Sequence, residues 1–291
     1  MKRIVKQQFW GMLLFALVAW HPIPLNSQTY VQFGRNKHVF DGILNDYRVN
    51  FRGNIKVADN DRDIVSISED GYLEIEKKTF GNNRKLKIYP VSDGKLVYEY
   101  FEGLKKINFE PVGRKWMEEI LPDIVRSTGI DIEGRVARIY KKGGINAILT
   151  EIGSIKSDFI AAKYFRVLIK QEKLTEKDNM QAIMAVPVLV NSDFERAGIL
   201  IETGKYYIGG NALSEAFFIS CAKISSDFEK GRVLKSLNIS GFNENQQAAY
   251  IKAGSYINSD FEKANVFRFL FSKTEVSPKA FVYAAEVVSG M

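Results

Sequence analysis

The chain has 291 residues, 46% of them hydrophobic, which is enough for a sizeable core and about two domains. Basic side chains outnumber acidic ones by 41 to 34, a formal charge of +7, but no Lys/Arg block is dense enough to mark a nucleic-acid surface. A single cysteine, Cys221, excludes an intramolecular disulfide, so the fold must be held by its core.

Residues 1–28 read as a secretory signal. Lys2, Arg3 and Lys6 lead into the uncharged run Phe9 to Trp20, too short to span a bilayer comfortably, and Pro22 and Pro24 end it. Ser27 offers a small residue for cleavage, although Leu25 stands where another is preferred, so both a cleaved signal and a retained anchor stay open. No cysteine follows the apolar run, which excludes a lipid-anchored bacterial form. Removing the first 27 residues takes three basic side chains and no acidic one, leaving 38 against 34 and a net +4. Residues 29–46 are a polar linker holding His38, the one imidazole left after cleavage. A histidine triad or histidine metal site would have to use it, and a lone loop histidine is ordinarily a surface residue.

From 47 to 109 the hydrophobic period is two. Tyr47, Val49, Phe51, Ile55 and Val57 alternate with polar residues as a half-buried strand, and short runs follow at Ile64 to Ile67, Tyr72 to Ile75, Arg84 to Pro90, Lys95 to Phe101 and Lys106 to Phe109. Turn signals between them, such as Asp70-Gly71 and Asp93-Gly94, give an antiparallel meander. The turn Asp59-Asn60-Asp61-Arg62-Asp63 is a weak calcium candidate: Asp59, Asp61 and Asp63, two apart, echo the opening of a calcium loop. Ile64 stands where that loop needs Gly and Asp70 where it needs Glu, so a solvated hairpin turn is the plainer reading. Asp93, Glu99 and Glu102 offer carboxylates of a glycosidase kind, and Tyr98, Tyr100 and Phe101 an aromatic platform; wet-face acids and packing aromatics have the same pattern.

Residues 110–142 connect. Pro111 to Thr128 is an amphipathic helix through Trp116, Ile120 and Ile124 with Pro122 bending it, and Asp131 to Lys142 is a second, closed by Gly143-Gly144. The domain boundary is expected between Phe109 and Gly129.

Residues 143–291 repeat. Ser-Asp-Phe recurs at Ser157, Ser192, Ser226 and Ser259, at steps of 35, 34 and 33 residues. Ten before each Ser stands Ala (147, 182, 216, 249), and nine before it Ile148, Ile183, Phe217 or Tyr250. Two before it stands Ile155, Val190, Ile224 or Ile257; five after, Ala162, Ala197, Gly231 or Ala264; eight after, Phe165, Leu200, Leu234 or Phe267. The pattern predicts helix hairpins broken at the Ser and stacked as a solenoid. Ser192/Glu195, Ser226/Glu229 and Ser259/Glu262 fit a capping box, with the carboxylate reaching back to the Ser N–H. Ile160 replaces Glu in the first copy and weakens its cap by ~0.5–1 kcal/mol. Asp158, Asp193, Asp227 and Asp260 suit the helix dipole, and residues two, five and eight after each Ser are expected on one inner face. Cys221 falls on a first helix as a buried thiol; Gly209-Gly210 lacks the strand and the following Lys of a phosphate loop; Pro278 opens a terminal capping helix.

The segments Ser226 to Lys230 and Ser259 to Lys263, both Ser-Asp-Phe-Glu-Lys, resemble the "SDYEKA" helical repeats of uncharacterised bacterial envelope proteins. Similar repeats extend antibiotic-sensor membrane metallopeptidases outside the cytoplasm. Phe51-Arg52-Gly53, Asp61 to Ser66 and Gly71 to Ile75 resemble the β region ahead of such repeats, so the likeness spans roughly Phe51 to Phe271. No His-Glu-x-x-His occurs, and peptidase chemistry is not implied.

The fold expected is α+β: a small antiparallel β-meander followed by an α-solenoid of helix hairpins with period about 34. The function expected is non-enzymatic binding of a protein or peptide partner in the cell envelope, periplasmic or secreted, with no cofactor, no nucleic acid and no membrane insertion after signal cleavage. The alternatives are an envelope-polymer processing enzyme using carboxylates in an interdomain cleft and a surface adhesin led by the β domain.

Overall fold

A computed structural model describes residues 47–78, 83–171 and 173–289, together with the backbone of two earlier strands. The signal segment and His38 lie outside the described residues. The earlier strands are β1 (Gln32–Phe33) and β2 (Val39–Leu44), so the stretch expected as linker supplies a sheet edge. After them come β3 (Tyr47–Arg52), β4 (Ile55–Val57), β5 (Ile64–Ile67), β6 (Tyr72–Lys77), β7 (Arg84–Pro90), β8 (Leu96–Glu102) and β9 (Lys105–Ile107).

Seven strands form one antiparallel sheet in the order β1-β2-β3-β6-β7-β8-β9. Pairing registers align Val49, Ile75, Leu86 and Tyr100 in one inward row and Phe51, Leu73 and Ile88 in the next. Both rows are buried, as the period-two reading requires. The expected strand from Tyr47 to Val57 is cut in two, and β4 pairs with β5 as a hairpin outside the sheet. Gly53 makes the break: its φ is +86°, and a Cβ there would collide with Ser68 Oγ. Asn54 N–H donates to that oxygen at 3.0 Å, and a Cβ on Gly71 would stand 2.7 Å from the Arg52 carbonyl, so the two ends of the hairpin meet in close contact. The alternation runs unbroken across Gly53, which is why periodicity alone reads through it.

Helix α1 (Arg114–Thr128) lays Trp116, Met117, Ile120, Leu121, Ile124 and Val125 into the sheet's core, with Pro122 inside its span. Gly129, left-handed at φ 71°, closes it through an N–H bond to the Val125 carbonyl. The division between the two cores therefore falls at 130–132, later than the boundary expected from sequence, and α1 belongs to the β unit.

Helix α2 (Ile132–Gly153) turns at Gly143-Gly144. After it come α3 (Asp158–Gln171), α4 (Glu176–Leu189), α5 (Asp193–Thr203), α6 (Asn211–Ala222), α7 (Asp227–Ser236), α8 (Glu244–Ser255), α9 (Asp260–Lys273) and α10 (Pro278–Ser289). The end of α2 with α4, α6, α8 and α10 makes one stack of first helices; α3, α5, α7 and α9 make a stack of second helices. One core runs from Ile132 to Ala284 and contains the expected large apolar columns. Cys221 is fully buried within it, and that burial pushes its thiol up to about 12.

The helix breaks differ from the expected capping boxes in one respect. Ser157, Ser192, Ser226 and Ser259 do cap their helices, but at 3.3–3.4 Å, long for a hydrogen bond. In the last three copies the Ser N–H is taken by the aspartate of the preceding repeat. Asp158 accepts from Asn191 N–H at 3.1 Å and Ser192 N–H at 2.8 Å. Asp193 accepts from Ser225 and Ser226 at 3.0 and 2.8 Å, and Asp227 from Asn258 and Ser259 at 3.1 and 2.9 Å. The glutamates instead pair with cations: Glu195 with Arg166, Glu229 with Arg232 and Glu262 with Lys235. A complete capping box occurs elsewhere, at Asn243/Gln246 of α8.

Burial opposes ionisation of Asp227, but the Ser259 and Asn258 N–H groups and Lys230 outweigh it and hold the carboxyl below the ordinary aspartate range. A depressed folded pKa gives stability that is whole above the unfolded value of about 4 and is lost as pH falls through the folded value. Asp227→Ala is expected to lower stability at neutral pH by roughly 1–3 kcal/mol in urea unfolding. Asp227→Asn, which keeps an acceptor without a titrating proton, should lose less stability than wild type on passing from pH 5 to pH 2; equal losses would count against the bond.

Candidate functional site

The second helices carry an unexpected row. Phe159, Phe194, Phe228 and Phe261, the third letter of each Ser-Asp-Phe, are 36%, 62%, 58% and 73% exposed. They are not on the inner face expected of them. Helical geometry supplies the reason: three residues turn about 300°, so each step of three falls about 60° short, and residues two and eight after the Ser stand about 120° apart. The core takes positions five and eight and leaves position two outside. Cations attend the row. Lys163 Nζ lies 4.9 Å from the Phe159 ring centroid, and the Arg232 guanidinium lies 5.8 Å from Phe194 and 6.0 Å from Phe228, bridging two repeats.

The first helices carry a cleft of about 650 Å³ along the valley between α6 and α8, with Tyr283 of α10 at its side. Its α6 wall presents Asn211, Glu215, Ile219 and Lys223 at four-residue intervals, and its α8 floor is made shallow by Ala248, Ala249 and Ala253. Beneath one end, Gln246 Nε2 donates to Ser214 Oγ at 3.1 Å and to the Ile208 carbonyl at 2.8 Å, and Asn243 Nδ2 donates to Asn211 Oδ1 at 2.9 Å, tying the start of α8 to α6. Lys223 and Lys252 sit at the other end, near the helix C-termini, with Tyr256 beside them.

The third group of polar residues lies at the junction of the two units. The calcium candidates do not converge on an empty centre; each faces a cation from the helices. Asp61 accepts from Arg135 at 2.6 Å, Asp63 from Arg114 at 2.9 Å, and Asp59 lies 3.5 Å from Arg138 and 3.9 Å from Lys142. The turn is thus a hairpin tip docked on the helices through its aspartates, with Asp59, Asn60 and Arg62 still exposed to solvent. Among the described residues no group of three or more His, Cys, Asp or Glu is arranged to hold a metal ion.

Arg135, 3% exposed, also donates to Glu151 Oε1 at 2.9 Å and to the Tyr164 hydroxyl. Burial opposes its charge, but the Asp61 bond and the surrounding charges prevail and raise its pKa above the ordinary arginine value. Burial likewise opposes charge on Glu151, yet Arg126 and Arg135 hold its carboxyl below the usual range, the wrong direction for a general acid near neutrality.

The other acids and aromatics are also engaged. Asp93 pairs with Lys95, Glu99 with Lys106, and Glu102 accepts from the Tyr100 hydroxyl at 3.1 Å. Tyr100 is fully buried, and Tyr98 stacks on Phe109 at 4.5 Å under the Arg114 guanidinium. No described helix is long and apolar enough to cross a membrane. Compared with known protein families, curated proteins and solved structures, the chain matches none.

Removing Arg135 strands the Asp61 carboxylate and leaves Glu151 with Arg126 alone, so Arg135→Met should cost roughly 3 kcal/mol, more than any surface pair here. In the chain lacking residues 1–27, where Trp116 is the single tryptophan, urea unfolding followed by its emission, which reports the β unit, should then separate from far-UV circular dichroism, which reports the helices; coincident curves at wild-type stability would refute the clamp.

Proposed function

We propose that the protein is an exported, non-enzymatic binding protein of the cell envelope that holds a protein or peptide partner on its helical repeats, as a sensor or accessory factor. The observation that carries this reading is the exposed phenylalanine row. Phe194, Phe228 and Phe261 keep more than half of their surface in water at one position of successive repeats, and repeated exposure of a large apolar side chain supports an interaction surface there. Flanking cations from Lys163 and Arg232 add polarity to the rim of the row. Repeat arrays favour binding because their surface is extended and their contacts are spread over many units. The basic and apolar start of the chain, and the likeness of its repeats to those of envelope proteins, support export.

Phe194→Ser with Phe228→Ser tests the row. Both side chains are exposed, so stability should change by no more than about 0.5 kcal/mol each. Proteins captured from envelope extract by the wild type should be lost from the variant at equal load. An unchanged set of captured proteins would remove the row from any binding role.

A further inference from the structure

The outer face of α10 is the kind of surface on which the array elsewhere seats its next repeat. Residues four, eight and eleven after the cap are Ser214, Phe218 and Cys221 in α6 and Gln247, Ile251 and Gly254 in α8, and all six are buried. Ser214 and Phe218 meet α8 at Gln246 and Tyr250, and Gln247 meets the start of α10 at Ser277. Ser277 caps α10, its Oγ accepting from Ala280 N–H at 3.2 Å, so the same three positions there are Phe281, Ala285 and Val288. They are exposed, with Pro278 and Val282 beside them, and Phe271 of α9 extends the patch through its ring contact with Phe281. A capping repeat ordinarily turns a polar face outward, and this face carries no charge.

The pattern of α10 is complementary to itself. Pro278, Phe281, Ala285 and Val288 make one stripe at spacings of three, four and three. Lys279 and Glu286, the only charged residues of the helix, each follow a stripe residue by one position and so share a flank. Two such helices laid antiparallel meet same flank to same flank. A two-fold axis that seats Phe281 on Ala285 of a second copy also seats Pro278 on its Val288, and brings Lys279 within one residue, about 1.5 Å along the axis, of its Glu286. A large side chain then meets a small one, and each charge meets its opposite. A parallel pairing sets Phe281 against Phe281 and turns both charges to the uncharged flank. Area agrees with this: Phe271, Phe281, Val282 and Val288, each about half exposed, offer on the order of 400 Å² per copy, so two copies with their rim reach roughly the 1,000 Å² of the smallest specific interfaces.

We infer that α10 seats a second copy of this chain, α10 against α10, antiparallel about a two-fold axis. An interface of this size gives association in the micromolar range. The phenylalanine row takes no part in it.

Sedimentation equilibrium on the full chain and on the chain lacking residues 1–27, each up to about 200 µM, tests the pairing. Both are expected to dimerise. Monomers in both overturn the proposal, and so does a dimer seen only in the full chain, which assigns association to the apolar start. Val282 stands one residue from the axis, so Val282→Glu sets two carboxylates close together and is expected to weaken the dimer at least about tenfold, with the far-UV circular dichroism of wild type retained. Lys279→Glu reverses one charge in each of two exposed pairs and is expected to weaken it about tenfold, and Lys279→Glu/Glu286→Lys to recover the wild-type constant. Both of those variants lose the Lys279 pair with Glu244, so recovery reports the contact between copies. A dimer indifferent to Val282→Glu, or a double variant no stronger than the single one, overturns the proposal. The Phe194→Ser/Phe228→Ser protein is expected to dimerise as wild type does; monomers there place association on the row and overturn the α10 contact.

Discussion

The bond from each aspartate to the turn of the next repeat is what the helical array depends on. A helix start leaves backbone N–H groups without partners, and in a stacked array they point toward the neighbouring unit. Asp158, Asp193 and Asp227 each take two of them at 2.8–3.1 Å, closer than the serine caps at 3.3–3.4 Å. A charged acceptor roughly doubles the strength of such a bond. The same contact fixes rotation and register, because a repeat shifted by one residue would present the carboxylate to the wrong pair of donors. Side-chain packing sets the spacing of the helices, and the aspartate sets which residue faces which. Its geometry also has a consequence for the surface. With the core occupied by positions five and eight, the phenylalanine, about 60° beyond position five in rotation, is left at the outer edge.

Much of this was open to inspection in the sequence, and the division between what was and what was not follows sequence distance. The helix breaks at the four serines, the buried apolar columns, the strands of the sheet and the buried thiol are set by neighbours within a few residues, and periodicity reports them. The aspartate bond joins residues more than thirty apart, and each aspartate already had a sufficient local explanation at a helix N-terminus, which concealed the second. Likewise Asp59, Asp61 and Asp63 look solvated or ligand-like on their own; their partners Arg135, Arg138 and Arg114 lie 51 or more residues away. Ala249 of α8 recurs as a small residue in every copy, but which helix stands opposite it needed the fold.

The two cores are joined by charge more than by apolar surface. Sheet and α1 form one cluster, the repeats another, and Arg135 sits between them with Asp61 from the hairpin, Glu151 from α2 and Tyr164 from α3. A buried ion network adds little net stability over a well-packed apolar joint, because desolvation cancels most of the attraction. What it adds is orientation, since a guanidinium has few directions in which all its donors are met. Gly53 and Gly71 matter here, for they turn the hairpin out of the sheet and carry its aspartates to the helices. The β unit thus closes the first repeat. The opposite end is left differently: Phe271 and Phe281 pair at 5.9 Å and remain exposed there, and α10 shows Val282 and Val288 outward.

The phenylalanine row and the cleft belong to different helix stacks, yet the break between helices brings them to one edge. Lys223 and Tyr256 stand where α6 and α8 end, and from each the chain runs through a short turn to Phe228 and Phe261. Those turns are the ones whose N–H groups Asp193 and Asp227 hold, so the edge shared by both surfaces is tied by hydrogen bonds from one repeat to the next. A rigid edge lowers the ordering cost of binding, because the protein side of the contact is already fixed. On the reading proposed for the repeats, a partner on the aromatic row meets an edge that is already fixed. On that reading the aspartates that hold the array rigid also serve recognition, by fixing the edge on which the row stands.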